Sequence, residues 1–220
     1  MNKEWSDKNK YIQVSLGKQT TYKEGINLLI DFRAEMFEQI SQIVKVYPVE
    51  AFYQMPFPKA KGYHSKTLSY SIWHIFRIED IVAHTLILRD EQVFMAGDYQ
   101  NKIGSHIITT GNELQGQEIA EFSKKLNIEA LYEYAKEVML STNSMLSNLE
   151  YPQLKRRFSD EDKKRLEDSA CVSTDENAHW LIDYWHGKEV CGLIKMPFSR
   201  HWIMHIEAMG RIKTKLPMKD

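Results

Sequence analysis

His201 and His205, in the stretch PFSRHWIMHIEAMGRI from Pro197 to Ile212, are the residues whose types and spacing point most directly to chemistry. Four residues apart on a helix, two side chains lie about 40° apart around the axis and one turn apart along it. Met204, Ala208, Met209 and Ile212 share that sector, while Arg200, Glu207 and Arg211 fall on the other side. An imidazole turned into an apolar core needs a partner for each ring nitrogen, and a divalent cation gives two such rings one shared partner. Neutral imidazole suits Zn, Ni or Fe, with the second ring N–H given to a neighbouring group. Two core histidines satisfied by ordinary hydrogen bonds fit the same spacing.

The other histidines divide by context. His74 lies at one flank of the apolar stripe Leu68, Ile72, Ile75, Ile78, Val82 and Leu86, in TLSYSIWHIFRIEDIVAHTLIL. Alone it reads as a hydrogen-bonded core residue; it becomes a ligand only if the last helix brings its pair to the same layer. His84 is about 80° around from His74 and is predicted at the surface. A rival set sits in DENAHWLIDYWHGKEVCGLIKM, where His179, Asp183 and His186 fall within about 50° of one another, a two-histidine, one-carboxylate pattern suited to a metal. Trp180, Tyr184 and Trp185 crowd the same segment and fit a pocket wall or an interface equally well. Cys191 joins that set only if the helix bends.

Four long helices must position these groups. Apolar residues at threes and fours predict a first from Tyr22 to Val46, capped by Thr20 or Thr21 and stopped by Pro48. The second runs from Thr67 to Leu88 and is the most apolar part of the chain. The third, Ile128 to Leu149, has Asn127 as its N-cap and the stripe Leu131, Tyr134, Ala135, Val138, Leu140, Met145 and Leu149. The fourth begins at Pro197, with Ser199 able to cap its free amides. Residues 1–20 are polar and read as an arm, and a further helix is predicted within 175–196. Residues 89–127, rich in Gly, Asn, Gln and Asp, form a long connection with a short helix near 117–126; it is predicted to lie across the open end of the core and shape a pocket. The expected class is all-α, an antiparallel four-helix bundle with additional short helices, in a single domain spanning 1–220.

Composition narrows the function classes. A formal charge of −1 makes no global case for nucleic acid or an anionic membrane surface. The basic clusters KRR and KKR near 155–165 are split by SDED, as on a solvated surface helix. Cys171 and Cys191 are too few for a disulfide framework, which suits a reducing cytoplasm. The first residues lack an apolar core segment, and no run reaches the ~18 apolar residues of a spanning helix. A cytoplasmic protein is expected.

With these elements in order, SIWHIFRIEDIV on the second helix and RHWIMHIEAMGRI near the C-terminus, the chain resembles the DinB-like superfamily, which includes metal-dependent thiol S-transferases, over about residues 20–214. The resemblance implies that His74, His201 and His205 together hold a divalent metal ion, Zn, Ni or Fe, and that the bundle pairs as a homodimer. It also implies a small-molecule substrate, possibly a low-molecular-weight thiol. The helical material between 160 and 196 departs from that pattern. Two activities follow from a cation with an open position: transfer of a thiol to an electrophile, and hydrolysis. Arg77, a turn from His74, could receive an anionic group, and Tyr70 could hydrogen-bond the nucleophile; Glu79 and Glu207 are offset from the ligand faces. The competing expectation is a non-catalytic bundle whose metal site is structural or vestigial, with the aromatic end around Phe52, Tyr53, Phe57 and Trp185 binding a ligand or a second subunit.

Overall fold

The computed structural model describes residues 2–219, which are helical with no strand among them; Arg157 and Glu189 form one isolated backbone bridge. In chain order the helices are α1 (Lys3–Leu16), α2 (Tyr22–Val46), α3 (Leu68–Asp80), α4 (Val93–Ala96), α5 (Tyr99–Ile103) and α6 (Gln117–Lys125). There follow α7 (Ile128–Asn148), α8 (Tyr151–Leu154), α9 (Asp160–Asp168), α10 (Glu176–His186), α11 (Val190–Lys195) and α12 (His201–Lys213).

α3 is the central element. Every one of its residues is buried, its polar and charged positions included, as happens in a helix enclosed by others. It packs on α7 and α12, and α2 packs on both of those in turn, so contacts among these four helices close into a cycle. The charged residues of α3 therefore need internal partners. Arg77 bonds Asp80 at 3.0 Å, the Tyr134 hydroxyl at 3.1 Å and Gln92 at 2.9 Å. Glu79 receives both terminal nitrogens of Arg33 at 2.6 and 2.9 Å and the Trp202 indole N–H at 2.8 Å.

Two helices contain a wider turn of π type. α3 runs without a break into Ile81–Leu88, and α11 runs through Met196–Arg200 into α12. Pro197 therefore lies inside a continuous helix rather than at its start. Its ring and missing N–H disrupt the tighter spacing, and the turn opens so that the His201 N–H reaches the Met196 carbonyl five residues back. Ser199 caps nothing; its hydroxyl donates to the Asn9 side chain in α1.

Other expectations are also corrected. The predicted arm is mostly α1, capped by the Asn2 side chain, with Trp5, Ile12 and Leu16 buried against α2. Gly25 permits that approach, because a Cβ there would lie 2.9 Å from the Leu16 backbone nitrogen. Thr21 precedes α2, but its hydroxyl donates to the Ser15 carbonyl instead of capping. Leu140 is exposed: two residues past Val138, it points about 200° away from the stripe. His84 is buried, not at the surface, with Nδ1 2.6 Å from Asp90 and Nε2 3.0 Å from the Ser141 hydroxyl. The long connection holds α4, α5 and α6, and its irregular part crosses α3 above His74.

Candidate metal centre

The wide turn at Met196–Arg200 delivers α12 with His201 and His205 facing α3, and there they meet His74. The ring centroids are 5.0 Å apart for His74 and His201, 4.9 Å for His74 and His205, and 4.6 Å for His201 and His205. One nitrogen from each ring lies within 4.8 Å of the others, and all three residues are buried. Tetrahedral bonds of about 2.0–2.1 Å set donor nitrogens about 3.3 Å apart, so the three rings would draw closer together on taking up a cation.

The hydrogen bonding fits the same role. His74 Nδ1 is 2.8 Å from the Thr110 carbonyl. A carbonyl only accepts, so Nδ1 carries the proton and Nε2 keeps its lone pair. His201 Nδ1 and both nitrogens of His205 are buried with no hydrogen-bond partner. Each such group costs about 1–3 kcal/mol when left unmade, and a shared cation relieves that cost for several at once. Burial pushes His74 down to about 4, despite the opposing bond to Thr110. Burial also takes His201 and His205 well below the ordinary imidazole range, helped by the neighbouring rings. The three are neutral near pH 7, the state in which imidazole ligates a metal. This cluster could therefore hold a metal ion.

The loop beside His74 is held by four consecutive carbonyls, each taking a bond from α3. Ile108 accepts from Arg77 at 2.6 Å, Thr109 from Trp73 at 3.2 Å, Thr110 from His74 and Gly111 from Tyr70 at 2.9 Å. Gly111 has φ +79°, and a Cβ there would meet the Tyr70 ring at 3.2 Å, so the turn requires glycine. Both candidate catalytic residues bond this loop, and Tyr70 also lines the space beside His74. Arg77 is wholly buried in its network and is not free to receive a substrate anion. Tyr70 stacks on His74 with interplanar angle 10°, and its hydroxyl is given to Gly111. Both position the loop that orients His74.

Two chambers open on the histidines. A polar one of ≈ 420 Å³ is lined by Ser65, Lys66, Asn112, Gln115 and Asn177 with His74 and His205 at its inner end. Lys66 lies 4.6 Å over the Tyr70 ring and has no carboxylate partner among the described residues; burial lowers its pKa. An aromatic chamber of ≈ 360 Å³ is lined by Trp180, Leu181, Tyr184, Trp185, Met196 and Pro197, with His74 and His201 at its inner end. Tyr63 borders both chambers, its ring set edgewise on His205 at 4.7 Å. Tyr63, Lys66 and Thr110 were not legible as site residues, since they sit in loops whose course no periodicity fixes.

The rival set does not converge. Asp183 is exposed and bonds Lys163 at 2.7 Å, His179 is exposed, and His186 lies 3.9 Å from Asp160. Among the described residues only His74, His201 and His205 group at ligand distance. What α10 contributes is Trp180, Tyr184 and Trp185, the pocket wall that the sequence also allowed. The other predicted aromatic cluster is dispersed: Phe52 is buried in the core, and Phe57 lies under Arg211 at 4.9 Å. The basic residues of α9 face acids, Lys164 on Asp168 and Arg165 on Glu161, while Arg156 bonds the Leu86 and Ile87 carbonyls. No helix is long and apolar enough to cross a membrane among the described residues. No family model and no curated protein matches the chain.

Proposed function

We propose that this protein is a divalent-metal-dependent enzyme of the DinB-like type, transferring a small-molecule thiol to an electrophile, with hydrolysis of a small substrate as the related alternative. The observation that carries this reading is a buried trio of neutral imidazoles with orphaned nitrogens, placed where two chambers of unlike chemistry meet. The same reading takes α2, α3, α7 and α12 as an antiparallel four-helix bundle with the metal at one end.

A bound cation there would supply Lewis acidity, lowering the pKa of a thiol or of water. His74, His201 and His205 would hold the ion, and Thr110 keeps His74 in the tautomer suited to ligation. Lys66 gives the polar chamber a positive pole suited to an anionic thiol. In the transfer, a carbon–sulfur bond forms, the leaving group departs with its electron pair, and the thiol proton passes to solvent.

Elemental analysis of protein purified without a histidine tag tests the site. About one equivalent of Zn, Ni or Fe is expected in the native chain and in His179→Ala, and less than about a tenth in His74→Ala and His201→Ala. Thiol consumption with 1-chloro-2,4-dinitrobenzene then tests the activity. Metal binding without turnover across a panel of thiols, electrophiles and esters would move the assignment to a non-catalytic binding module.

A further inference from the structure

The aromatic chamber has a size and lining that the metal alone does not account for. Its ≈ 360 Å³ lies at the lower end of the range of small-molecule sites, roughly 300–1,000 Å³. Trp180, Leu181, Tyr184 and Trp185 form one wall from α10, Met196 and Pro197 come from the wide turn, and Ile78 from α3. Trp180 is the unusual member. The residue is 51% exposed, yet the only polar atom of its side chain is already used, because the indole N–H donates to the Asn177 carbonyl at 2.9 Å. The ring is braced edge-on against Tyr184, with centroids 5.7 Å apart and planes at 68°. A large, partly exposed apolar surface thus lines the cavity, with no side-chain hydrogen bond left to offer a ligand.

We propose that this chamber is a subsite for an uncharged aromatic small molecule of about one or two fused rings, seated between Trp180 and the inward histidines. Its role as the electrophile's subsite rests on the proposed transferase reading; the binding itself does not. The opposite chamber selects differently. A neutral ring entering it would strip water from Lys66, Gln115 and Asn177 without replacing the lost hydrogen bonds. The aromatic chamber sets less of that cost, since Asn112, Tyr63 and the two histidines stand in a lining that is otherwise apolar or aromatic, with Met196 adaptable in shape. α10 therefore supplies the specificity of the site although none of its residues ligates.

Calorimetric titration of the full chain with 2-naphthol tests the proposal. Saturable binding at one site is expected, weakened about ten-fold or more in Trp180→Ala, restored in Trp180→Phe and changed by less than about two-fold in Lys66→Met or after chelation. Trp180 is at the surface, so circular dichroism of the variant is expected to match the native chain. Absence of saturable binding, equal affinity in Trp180→Ala, or loss of binding in Lys66→Met would overturn it. A protein that holds no metal but binds 2-naphthol through Trp180 defeats the metalloenzyme reading alone. A metal-loaded protein that ignores 2-naphthol defeats the aromatic subsite alone.

Discussion

Thr110 brings no side chain to the three rings, yet its carbonyl decides which nitrogen of His74 is free, and this orientation was invisible in the sequence. The H-x3-H pair was legible because helical geometry fixes the angle between positions four apart. His84 was misplaced because its burial depends on Asp90 and Ser141, which a helical projection does not show. The three buried imidazoles also set a pH dependence. His74 titrates at about 4 in the fold and at the ordinary value of 6.5 when unfolded. Between those values the unfolded chain binds the proton and the folded chain does not. The metal-free protein accordingly keeps this contribution above about pH 6.5 and loses stability as pH falls toward 4. Urea unfolding of metal-stripped protein at pH 7.5 and pH 5 checks this: the pH 5 midpoint should be lower, and the gap should narrow in His74→Asn. Equal gaps in the two proteins would refute it.

At the level of elements, α3 was recognisable from its apolar stripe, but nothing in that stripe showed that Arg77, Glu79 and Asp80 are buried as well. Their burial follows from the helices packed around them. The Arg33 and Glu79 pair ties α2 to α3, and Arg33 also donates to the Phe198 carbonyl at 3.0 Å, inside the wide turn preceding His201. Removing one partner strands a buried charge. Arg33→Leu should cost about 3–5 kcal/mol, and Arg33→Leu combined with Glu79→Leu should be closer to neutral. Chemical denaturation of the single and double variants measures both, and additive losses would contradict the coupling. The wide turn itself was missed because Pro197 signals a helix start far more often than an open turn. Deleting one residue between 196 and 200 would restore tighter spacing and swing His201 and His205 about 100° around the axis, away from His74. α1 was missed because its charged face hides Trp5, Ile12 and Leu16, although Asn2 and that spacing of four and seven mark a helix.

For the whole molecule, one apolar cluster extends from Trp5 to Leu216 and takes in residues of all the long helices. The fold's all-helical character follows from that periodicity, whereas the two chambers arise from loops and from α10, whose placement depends on tertiary contacts. Because the core is continuous without an ion, chelation should leave far-UV circular dichroism unchanged. It should lower Tm by several degrees, since an ion at a hundred times its Kd contributes about 2.7 kcal/mol. Collapse of the helical signal on chelation would contradict this. The three histidines that could hold a metal come from positions 74, 201 and 205, so most of the polypeptide separates the first from the other two. A ribosome must translate more than a hundred further codons after the first imidazole before the pair that completes the trio exists. Any metal this cluster takes up would therefore be captured late in biosynthesis, and a product truncated ahead of the final helix would leave the tunnel without a complete trio.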